Sequence, residues 1–444
     1  MKQKNRLFKK FVLWWLKIAA KIQIYKIKPK VIGIGGSSGK TSLANFIYLI
    51  LKDKYKVRET KGKNSESGIP LSILNIKMSG FSAIDWLKAL LIAKLRVLTD
   101  FKKFDFYIAE MGIDSPYEPG NMEFLLKIIT PQLGVLTNIT FEHSENFDPL
   151  VTEGNERDKK ILDLTTKQEM LLLNSINEKG SVIINLDDKL ISKNQNQIKA
   201  NKITVSSKNK KANFQITKID CSINSFKVSF SFTDEKYLIN LPNPLPNHYA
   251  YSLVLAIAVG FSCGISVDRS ISILESNFTL PPGRFSIFEG IKNTKIIDSS
   301  YNSSPNPLID ALLLLKNIAE NKRKVVILGD MRELGTMTEK LHNEVALEII
   351  KNSDFAILIG PSMSKFTAPI LKESNFPFES FENFTKAREF ILKSIKNQDI
   401  ILVKGSQNTL FLERVVEMLL KDYKDKEKLC RRDSFWDKKR KESL

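Results

Sequence analysis

A glycine-rich stretch near the start of the chain combines the residue types that bind phosphate groups. It reads Gly36-Ser37-Ser38-Gly39-Lys40-Thr41 and follows a β-branched run, residues 31–34, that predicts a buried strand. Apolar residues at helical spacing follow Thr41, so the stretch joins a predicted strand to a predicted helix. In that setting backbone N–H groups face an anion, Lys40 reaches the outer phosphates, and the Thr41 hydroxyl can hold Mg²⁺. The stretch therefore predicts a nucleotide-binding loop, because an ordinary glycine-rich turn would leave the placement of Lys40 and Thr41 unexplained.

Polar side chains follow two further predicted strands, residues 106–110 and 133–137. Glu110 ends the first strand, and His143 comes shortly after the second. Because the carboxyl ends of parallel strands meet at one edge of a sheet, these side chains are expected near the phosphate-binding loop. A carboxylate and an imidazole there suit a divalent cation, and Mg²⁺ is the usual ion beside nucleotide phosphates. The alternative for His143 is a loop histidine without a ligand role.

The second half of the chain carries three more polar groups at predicted loop positions. They are Arg284 after Pro-Gly, the run of residues 298–305, and Lys404 before Gly-Ser. A fourth polar loop, residues 328–335, follows another predicted strand. Aspartate, serine, asparagine and proline form turns in any protein, so turn chemistry is the alternative for these groups.

The order of predicted elements indicates an α/β fold. Strand and helix patterns alternate between residues 31 and 137, and short alternating strands follow between 200 and 241. Helices are predicted within 248–278, and a second α/β unit has strands at 294–298, 324–328, 355–359 and 400–403. The expected architecture is a P-loop domain with a mostly parallel sheet and a small antiparallel subdomain, then a Rossmann-like α/β domain. The last 24 residues look like a helix end that runs into a loose tail.

Positive charge is concentrated at the N-terminus. The net charge is +19, and residues 1–30 hold ten Lys and Arg without any Asp or Glu. Residues 6–24 predict a helix, and its longest uncharged run is far short of the roughly 20 residues that span a bilayer. One hypothesis is an amphipathic helix lying on an anionic membrane surface, and the alternative is a helix packed on the first domain. The face expected to be apolar comprises Phe8, Phe11, Val12, Trp15, Ile18, Ala19 and Ile22.

Two further features narrow the class of protein. A second apolar segment, residues 86–98, either extends the surface of the N-terminal helix or forms a core helix. Three widely spaced cysteines give neither a disulfide framework nor a metal motif, which fits a reducing cytoplasm. Outside the termini no basic stripe has interleaved aromatic residues, so nucleic acid is not an expected partner. The sequence does not indicate an oligomeric state.

In their order and spacing, these motifs resemble those of the Mur ligases, ATP-dependent enzymes that form amide bonds in peptidoglycan assembly. The resemblance covers about residues 31–420. It rests on the phosphate-binding loop, Asn64-Ser65-Glu66-Ser67-Gly68-Ile69-Pro70, Glu110-Met111-Gly112, Thr137-Asn138-Ile139 with His143, Gly283-Arg284, residues 298–305, residues 328–335 and Lys404-Gly405-Ser406.

The resemblance implies a role for each of these groups. Thr41 and Glu110 would bind Mg²⁺, His143 would help to hold a second metal ion, and Lys40 would contact the β- and γ-phosphates. A carbamylated lysine is expected after the histidine, and Lys159 fits that position best. The remaining ATP contacts would come from Gly36, Ser37, Ser38, Gly39, Asn138, His248, Arg284 and Asp298. The substrate contacts would come from Asn64, Ser65, Glu66, Tyr301, Asn302 and Lys404.

The implied domain division has four parts. They are a basic amphipathic arm (1–29), a central ATP-binding domain (30–280), a C-terminal ligase domain (281–424) and a charged tail (425–444). The family's N-terminal UDP-sugar-binding domain is not recognisable, and the basic arm stands in its place. Ser299 replaces the second acid of a family Asp-Asp-Ser-Tyr run.

The implied reaction joins a carboxylate to an amine through an acyl phosphate, at the expense of ATP. The branch that it resembles most adds D-alanyl-D-alanine to a muramoyl-peptide precursor, so the expected substrates are a nucleotide and a peptidoglycan precursor. One alternative is a ligase with a lipid-linked or polyglutamate-type acceptor. Another is a non-catalytic nucleotide-binding protein attached to a membrane. The expected location is the cytoplasm, with the arm as a contact to the inner face of the membrane.

Overall fold

A computed structural model of the chain describes residues 2–61, 63–78, 80–141, 144–151, 156–406 and 410–442. The chain divides into two compact units. The first comprises residues 1–218, 229–238 and 251–278, and the second comprises residues 219–228, 239–250 and 279–444.

The first sheet and its helices occupy the chain up to residue 277. The helices are α1 (Lys2–Ile27), α2 (Lys40–Leu51), α3 (Gly68–Ile73), α4 (Ala83–Thr99), α5 (Met122–Leu126), α6 (Arg157–Asn174), α7 (Lys189–Asn194), α8 (His248–Ser262) and α9 (Val267–Asn277). The strands are β1 (Lys30–Gly35), β2 (Val57–Glu59), β3 (Phe106–Glu110), β4 (Leu133–Leu136), β5 (Ser181–Asn185), β6 (Asn201–Ser206), β7 (Phe214–Ser222), β8 (Ser225–Phe232) and β9 (Glu235–Leu241).

The strand order of the first sheet places β1 between two strands that come later in the chain. The order is β2-β3-β1-β4-β5-β6-β7-β8-β9, and β1 pairs in parallel with both β3 and β4. The strands from β2 to β7 are parallel, whereas β7, β8 and β9 are joined by two-residue turns that reverse the chain. The loop that follows β1 therefore lies between the carboxyl ends of β3 and β4, where an open parallel sheet binds ligands.

The N-terminal helix packs on the first unit, as one of the two sequence alternatives proposed. Its C-terminal end meets that of α4: Gln23 Nε2 donates to the Asp100 carbonyl at 2.8 Å, and Lys26 Nζ donates to the Val97 carbonyl at 2.7 Å. The face predicted to be apolar coincides only in part with the buried face, because Phe11 is 52% exposed and Ile22 is 46% exposed. Apolar residues occur all round this helix, so their spacing alone could not identify the buried face. The buried side chains are Val12, Leu13, Leu16, Ala19, Ala20, Gln23 and Ile27.

None of the helices within the described ranges has both the length and the apolar character needed to cross a membrane.

The second sheet belongs to the second unit. Its strands are β10 (Ser286–Glu289), β11 (Lys295–Ser299), β12 (Lys324–Gly329), β13 (Phe355–Ile359), β14 (Phe378–Phe381) and β15 (Ile400–Lys404). Its helices are α10 (Pro305–Ile318), α11 (Thr338–Asn352), α12 (Ala368–Glu373), α13 (Phe384–Ser394), α14 (Glu413–Leu419) and α15 (Ser434–Glu442). The strand order is β10-β11-β15-β12-β13-β14, in which only the β10–β11 pairing is antiparallel.

The predicted fold class is confirmed, and three short strands are additional. A large, mostly parallel sheet carries antiparallel strands, and a second sheet follows it. Sequence periodicity did not predict β2, β10 or β14, because strands of three or four residues carry too few side chains for an alternating pattern.

The expected loose tail is wrong, because part of it is buried in the second unit. Cys430 and Arg431 are 4% and 7% exposed. The Arg431 guanidinium donates from Nη1 to Glu413 Oε2 at 2.9 Å and lies 5.0 Å from the centre of the Tyr301 ring. Glu413 is fully buried, so this ion pair fixes the segment after α14 to the centre of the unit.

Arg431→Ala is expected to destabilise the second unit by about 3–5 kcal/mol, since it removes the closer of two guanidinium partners of buried Glu413 and leaves only Arg440, at 3.7 Å. Urea unfolding followed by circular dichroism would measure the loss. Arg388→Ala, at an exposed position on α13, is the matched control and should change stability by less than about 0.5 kcal/mol. Equal unfolding midpoints for the two variants would show that the buried pair does not anchor the segment.

Candidate functional site

The loop after β1 is shaped by two glycines with backbone angles that other residues rarely adopt. Gly36 has φ +115° and Gly39 has φ +81°. A Cβ atom on Gly36 would lie 2.1 Å from Thr137 Oγ1, which is far inside van der Waals contact. The loop thus passes so close to the end of β4 that only glycine fits at position 36.

The segment after β4 holds the loop in place through backbone groups. The Ser37 N–H donates to the Asn138 carbonyl at 2.9 Å, and the Ser38 N–H donates to Asn138 Oδ1 at 3.0 Å. Thr137 Oγ1 donates to the Ser38 carbonyl at 2.7 Å. Asn138, which was predicted as a nucleotide contact, therefore positions the loop directly.

A buried glutamate that the sequence analysis missed also contacts the loop. The Gly36 N–H donates to Glu169 Oε2 at 2.8 Å, and Glu169 is 1% exposed. The same oxygen lies 2.9 Å from where a Cβ of Gly35 would stand. This carboxylate explains why glycine occupies position 35. Glu169 lies in the middle of α6, where one carboxylate in a helix gives no sequence signal.

Lys40, Thr41 and Glu110 lie together beyond the loop. Thr41 Oγ1 donates to Glu110 Oε2 at 2.8 Å, and the Lys40 ammonium donates to the Ser37 carbonyl at 3.0 Å and to the Gly36 carbonyl. Glu110 is only 2% exposed. A hydroxyl and a carboxylate from adjacent strand ends are hard oxygen donors, the kind that Mg²⁺ prefers. These residues therefore fit the predicted magnesium ion.

Residues 64–68, predicted to lie beside the acceptor substrate and called here the acceptor segment, are bonded to the strand end that carries Glu110. The Gly112 N–H donates to the Asn64 carbonyl at 3.1 Å, and a Cβ on Gly112 would lie 2.8 Å from Asn64 Nδ2. Ser65 Oγ accepts from the Gly68 N–H at 3.2 Å, which begins α3. Glu66 Oε1 lies 3.5 Å from the Lys9 ammonium of α1.

The remaining predicted metal and catalytic residues of this half of the chain are His143 and Lys159. His143 lies outside the described residues. Lys159 lies in the first turn of α6 with a side chain that is 71% exposed, and its ammonium lies 3.7 Å from Glu156 Oε1. The structure does not bring Lys159 to Thr41 or Glu110, so its carbamylation stays a prediction.

In the second unit, β11 and β15 bring Lys404 beside the predicted polar run. The Lys404 ammonium donates to Ser299 Oγ at 3.2 Å and to the Asn302 carbonyl at 2.9 Å, and Lys404 is 4% exposed. Ser299 thus accepts a hydrogen bond from the buried lysine through its hydroxyl. The pairing of Ser299 with Lys404 in adjacent strands places the two side chains together.

Aromatic contacts hold the other predicted residues of this unit. The Arg284 guanidinium lies 4.7 Å from the centre of the Tyr301 ring. His248 Nδ1 lies 2.7 Å from Asp310 Oδ2, and its ring stands edge-on to Phe285 at 6.2 Å. Arg284, Tyr301, Asn302 and Lys404 therefore belong to one neighbourhood, which Phe285 shares through a 5.7 Å contact with the Lys404 ammonium.

His342 serves the structure of its own loop. Its Nε2 accepts from the Met331 N–H at 3.2 Å, so Nδ1 carries the proton and donates to the Thr338 carbonyl at 2.7 Å. Burial lowers the pKa of His342 below its usual value. A neutral, fully buried imidazole with both nitrogens engaged stabilises the turn between β12 and α11.

Two family profiles match the chain. The profile described as "Mur ligase middle domain" matches residues 34–260, which is just over half of the chain. The profile described as "Mur ligase, glutamate ligase domain" matches residues 283–407. The first match contains the phosphate-binding loop, Glu110 and Asn138, and the second contains Arg284, Asp298 and Lys404.

Individual relatives are distant but match over most of their length. The UDP-N-acetylmuramoyl-tripeptide–D-alanyl-D-alanine ligase of Bacillus subtilis is 23% identical over 407 residues, covering 90% of this chain and 78% of that enzyme. The enzyme of the same name from Borreliella burgdorferi is 25% identical, covering 92% of this chain and 78% of the relative.

Solved structures share the fold. MurF ligase from Thermotoga maritima in complex with ADP has a TM-score of 0.71 at 22% identity, covering 94% of this chain and 84% of that one. MurF from Acinetobacter baumannii has a TM-score of 0.72 at 19% identity, covering 89% and 78%. At these identities the likeness shows the architecture.

Asp298→Asn is expected to flatten the pH dependence of stability between about pH 4 and pH 6. Burial raises the pKa of Asp298 from 3.8 to about 6, although hydrogen bonds from Ser300 act in the opposite direction. In that window the folded chain binds more protons than the unfolded chain, so wild-type stability falls as the pH rises and stays lower above it. Between pH 4 and pH 7.5 the wild type should lose about 1–3 kcal/mol of unfolding free energy that Asp298→Asn does not lose.

Urea unfolding over a pH series would test this expectation. Asp234→Asn, in an exposed turn between β8 and β9, is the control and should keep the wild-type pH profile. An Asp298→Asn profile parallel to that of the wild type would contradict the assignment.

Proposed function

The chain belongs to the Mur ligase family, and from this premise we propose that it is an ATP-dependent, ADP-forming ligase that joins D-alanyl-D-alanine to a muramoyl tripeptide in peptidoglycan synthesis. The main support for the proposal is the contact of Thr41 with Glu110 beside Lys40. This contact brings together the residues after β1 and at the end of β3 that could bind phosphates and a magnesium ion. Relatives that bear this enzyme's name match over 78% of their own length, which supports the choice of substrates. The proposal includes a central ATP-binding domain over 30–280 and a ligase domain over 281–424.

The first unit would bind the triphosphate. Lys40 and the N–H groups at the start of α2 offer positive charge and donors to the phosphates. Gly36 and Gly39 let the backbone approach closely, and the Asn138 bonds fix the loop before a ligand arrives. Preorganised donors of this kind stabilise charge that develops during reaction without a cost of rearrangement at that moment.

Mg²⁺ would be held by the Thr41 hydroxyl and the Glu110 carboxylate, and when bound it supplies charge neutralisation between the phosphates and an attacking carboxylate. The hydrogen bond between Thr41 and Glu110 supports this assignment, since the two oxygens already face one another at 2.8 Å. The sequence hypothesis of a second ion rests on His143 and is part of the proposal.

The second unit would contribute cationic groups to the substrates. Lys404 and Arg284 are held by neighbouring backbone and ring contacts, which limits the entropy lost on binding an anion. We assign Tyr301, Asn302 and Lys404 to substrate binding, and His248, Arg284 and Asp298 to the nucleotide.

The proposed reaction proceeds in two displacements. A carboxylate oxygen of the tripeptide attacks the γ-phosphorus of ATP, and ADP leaves as the acyl phosphate forms. The amine nitrogen of D-alanyl-D-alanine then attacks the acyl carbon, inorganic phosphate leaves, and the nitrogen loses a proton. Because both partners of the first step are anions, Lys40 and the loop N–H groups must offset their repulsion.

The non-catalytic alternative is less well supported. The buried Glu110 carboxylate accepts a hydrogen bond from the Thr41 hydroxyl. A protein that only binds nucleotide would not require this pair. The arrangement of these two groups favours a chain that acts on the bound phosphates.

Release of ADP should require both the UDP-N-acetylmuramoyl tripeptide and D-alanyl-D-alanine. Lys40→Ala should lower the rate by about 10²–10³-fold, as loss of a charge-stabilising donor does in other active sites. Lys52→Ala, at the exposed end of the same helix, is the matched control and should keep full activity. ADP release with glutamate in place of D-alanyl-D-alanine would refute the proposed amine substrate. ADP release with no second substrate would refute the requirement for both substrates.

Glu169→Ala should weaken ATP binding by about tenfold, because it removes the charge-assisted bond that fixes the Gly36 N–H. Titration calorimetry with ATP would measure the change. Glu178→Ala, which removes an exposed carboxylate just beyond the same helix, should bind ATP as the wild type does. Unchanged affinity in Glu169→Ala would show that the loop holds its shape without this carboxylate.

A further inference from the structure

The N-terminal helix has apolar side chains on two opposite faces. One face is buried on the first unit, as described above. The other is exposed: Trp14 is 50% exposed and Tyr25 is 76% exposed. Exposed apolar residues occur at positions 11, 14, 22 and 25, and these intervals of three and eight residues place them on a single face of the helix. A surface helix of a globular protein normally turns a polar face to water, so this second stripe needs an explanation.

Helix α4 presents a second exposed stripe. Ala89 and Ala93 are buried on this helix, and Trp86, Leu90 and Val97 pack beside them in partly buried positions. The other leucines of the helix are exposed, and Leu91 is 71% exposed. The stripe comprises Ile84, Leu87, Leu91, Leu95 and Leu98.

Helices α1 and α4, together with the two ends of α4, carry most of the exposed large apolar side chains of the described residues. Of nineteen large hydrophobic residues that are exposed, twelve lie on α1, on α4 or at the two ends of α4. Apolar residues scattered singly over a surface are normal, but a concentration of this kind marks an interaction site. We name this set the two-helix surface.

Basic residues accompany the two-helix surface. Residues 1–30 contain ten Lys and Arg and no acid. Lys10 and Lys21 are exposed on α1, and Lys88 and Lys94 are exposed on α4. The flanks of the apolar stripes are therefore predominantly cationic.

We propose that the two-helix surface docks on a lipid bilayer that contains anionic head groups. Apolar stripes flanked by lysines are the pattern of helices that lie in the plane of a membrane interface. Anionic head groups attract the lysines, and the apolar side chains enter the boundary of the hydrocarbon region. The proposal is independent of the ligase activity, because no residue of the two-helix surface belongs to the assigned site.

Charge favours a bilayer over a second copy of the chain. A two-fold dimer through this surface would bring the same lysine-rich flanks face to face, and such like-charge contacts oppose association. An anionic bilayer is complementary to the same flanks.

Flotation of the full chain with vesicles tests the proposal. The wild type should bind vesicles of phosphatidylcholine that contain about one-third phosphatidylglycerol. It should bind vesicles of phosphatidylcholine alone at least tenfold more weakly. The triple variant Leu87→Gln, Leu91→Gln, Leu95→Gln should lose binding by at least about tenfold. Because these side chains are exposed, the variant should keep the wild-type unfolding midpoint.

Matched controls come from elsewhere on the chain. The triple variant Leu238→Gln, Leu313→Gln, Leu347→Gln removes leucines of similar exposure and should bind as the wild type does. Lys10→Gln with Lys21→Gln should weaken binding and its dependence on phosphatidylglycerol, whereas Lys322→Gln with Lys372→Gln should not.

Three outcomes would overturn the proposal. The first is a wild type that binds neither kind of vesicle. The second is equal binding by the wild type and the α4 leucine variant. The third is a wild type that sediments as a dimer and becomes monomeric in the leucine variant without binding vesicles, which would identify a second copy as the occupant.

Discussion

The close approach of the β1 loop to the end of β4 is the constraint on which the first unit depends. There is no space for a side chain at Gly36, since a Cβ would stand 2.1 Å from Thr137 Oγ1. Because the loop packs against the end of β4, its N–H groups donate hydrogen bonds to Asn138, and helix α2 begins directly after the loop, at Lys40. The parallel pairing of β1 with β3 then brings Glu110 to Thr41. The phosphate-handling groups are thus a consequence of strand order and one tight turn.

Buried carboxylates fix both units, but they do so with different partners. Glu169 accepts from a backbone N–H in the first unit, whereas Glu413 pairs with the guanidinium of Arg431 in the second. A buried charge that loses its partner destabilises a fold strongly, so each of these acids makes its neighbour indispensable. In both units the supporting acid lies outside the residues assigned to nucleotide or substrate.

Sequence reasoning predicted features whose residues are adjacent in the chain. The glycine-rich loop, Glu110 and Lys404 each follow a strong strand pattern, so their positions at strand ends could be predicted. Glu169 and Arg431 each bond to residues more than a hundred positions away in the sequence. Arg431 also lies in a segment without helical or strand periodicity, so no local pattern predicts either contact. The buried face of α1 could not be predicted because the helix is apolar on both sides, and only its contacts with α3 and α4 decide which side is covered.

The contact between Lys9 and Glu66 has a thermodynamic consequence. It joins the helix of the two-helix surface to the acceptor segment, so a ligand at either place can alter the affinity at the other, and the two effects must be equal in free energy. The lysine side chain is 66% exposed, and ion pairs of that exposure contribute about 0–1 kcal/mol. Any cooperativity carried by this pair is therefore limited to about fivefold, which is enough to bias occupancy and too little to act as a switch.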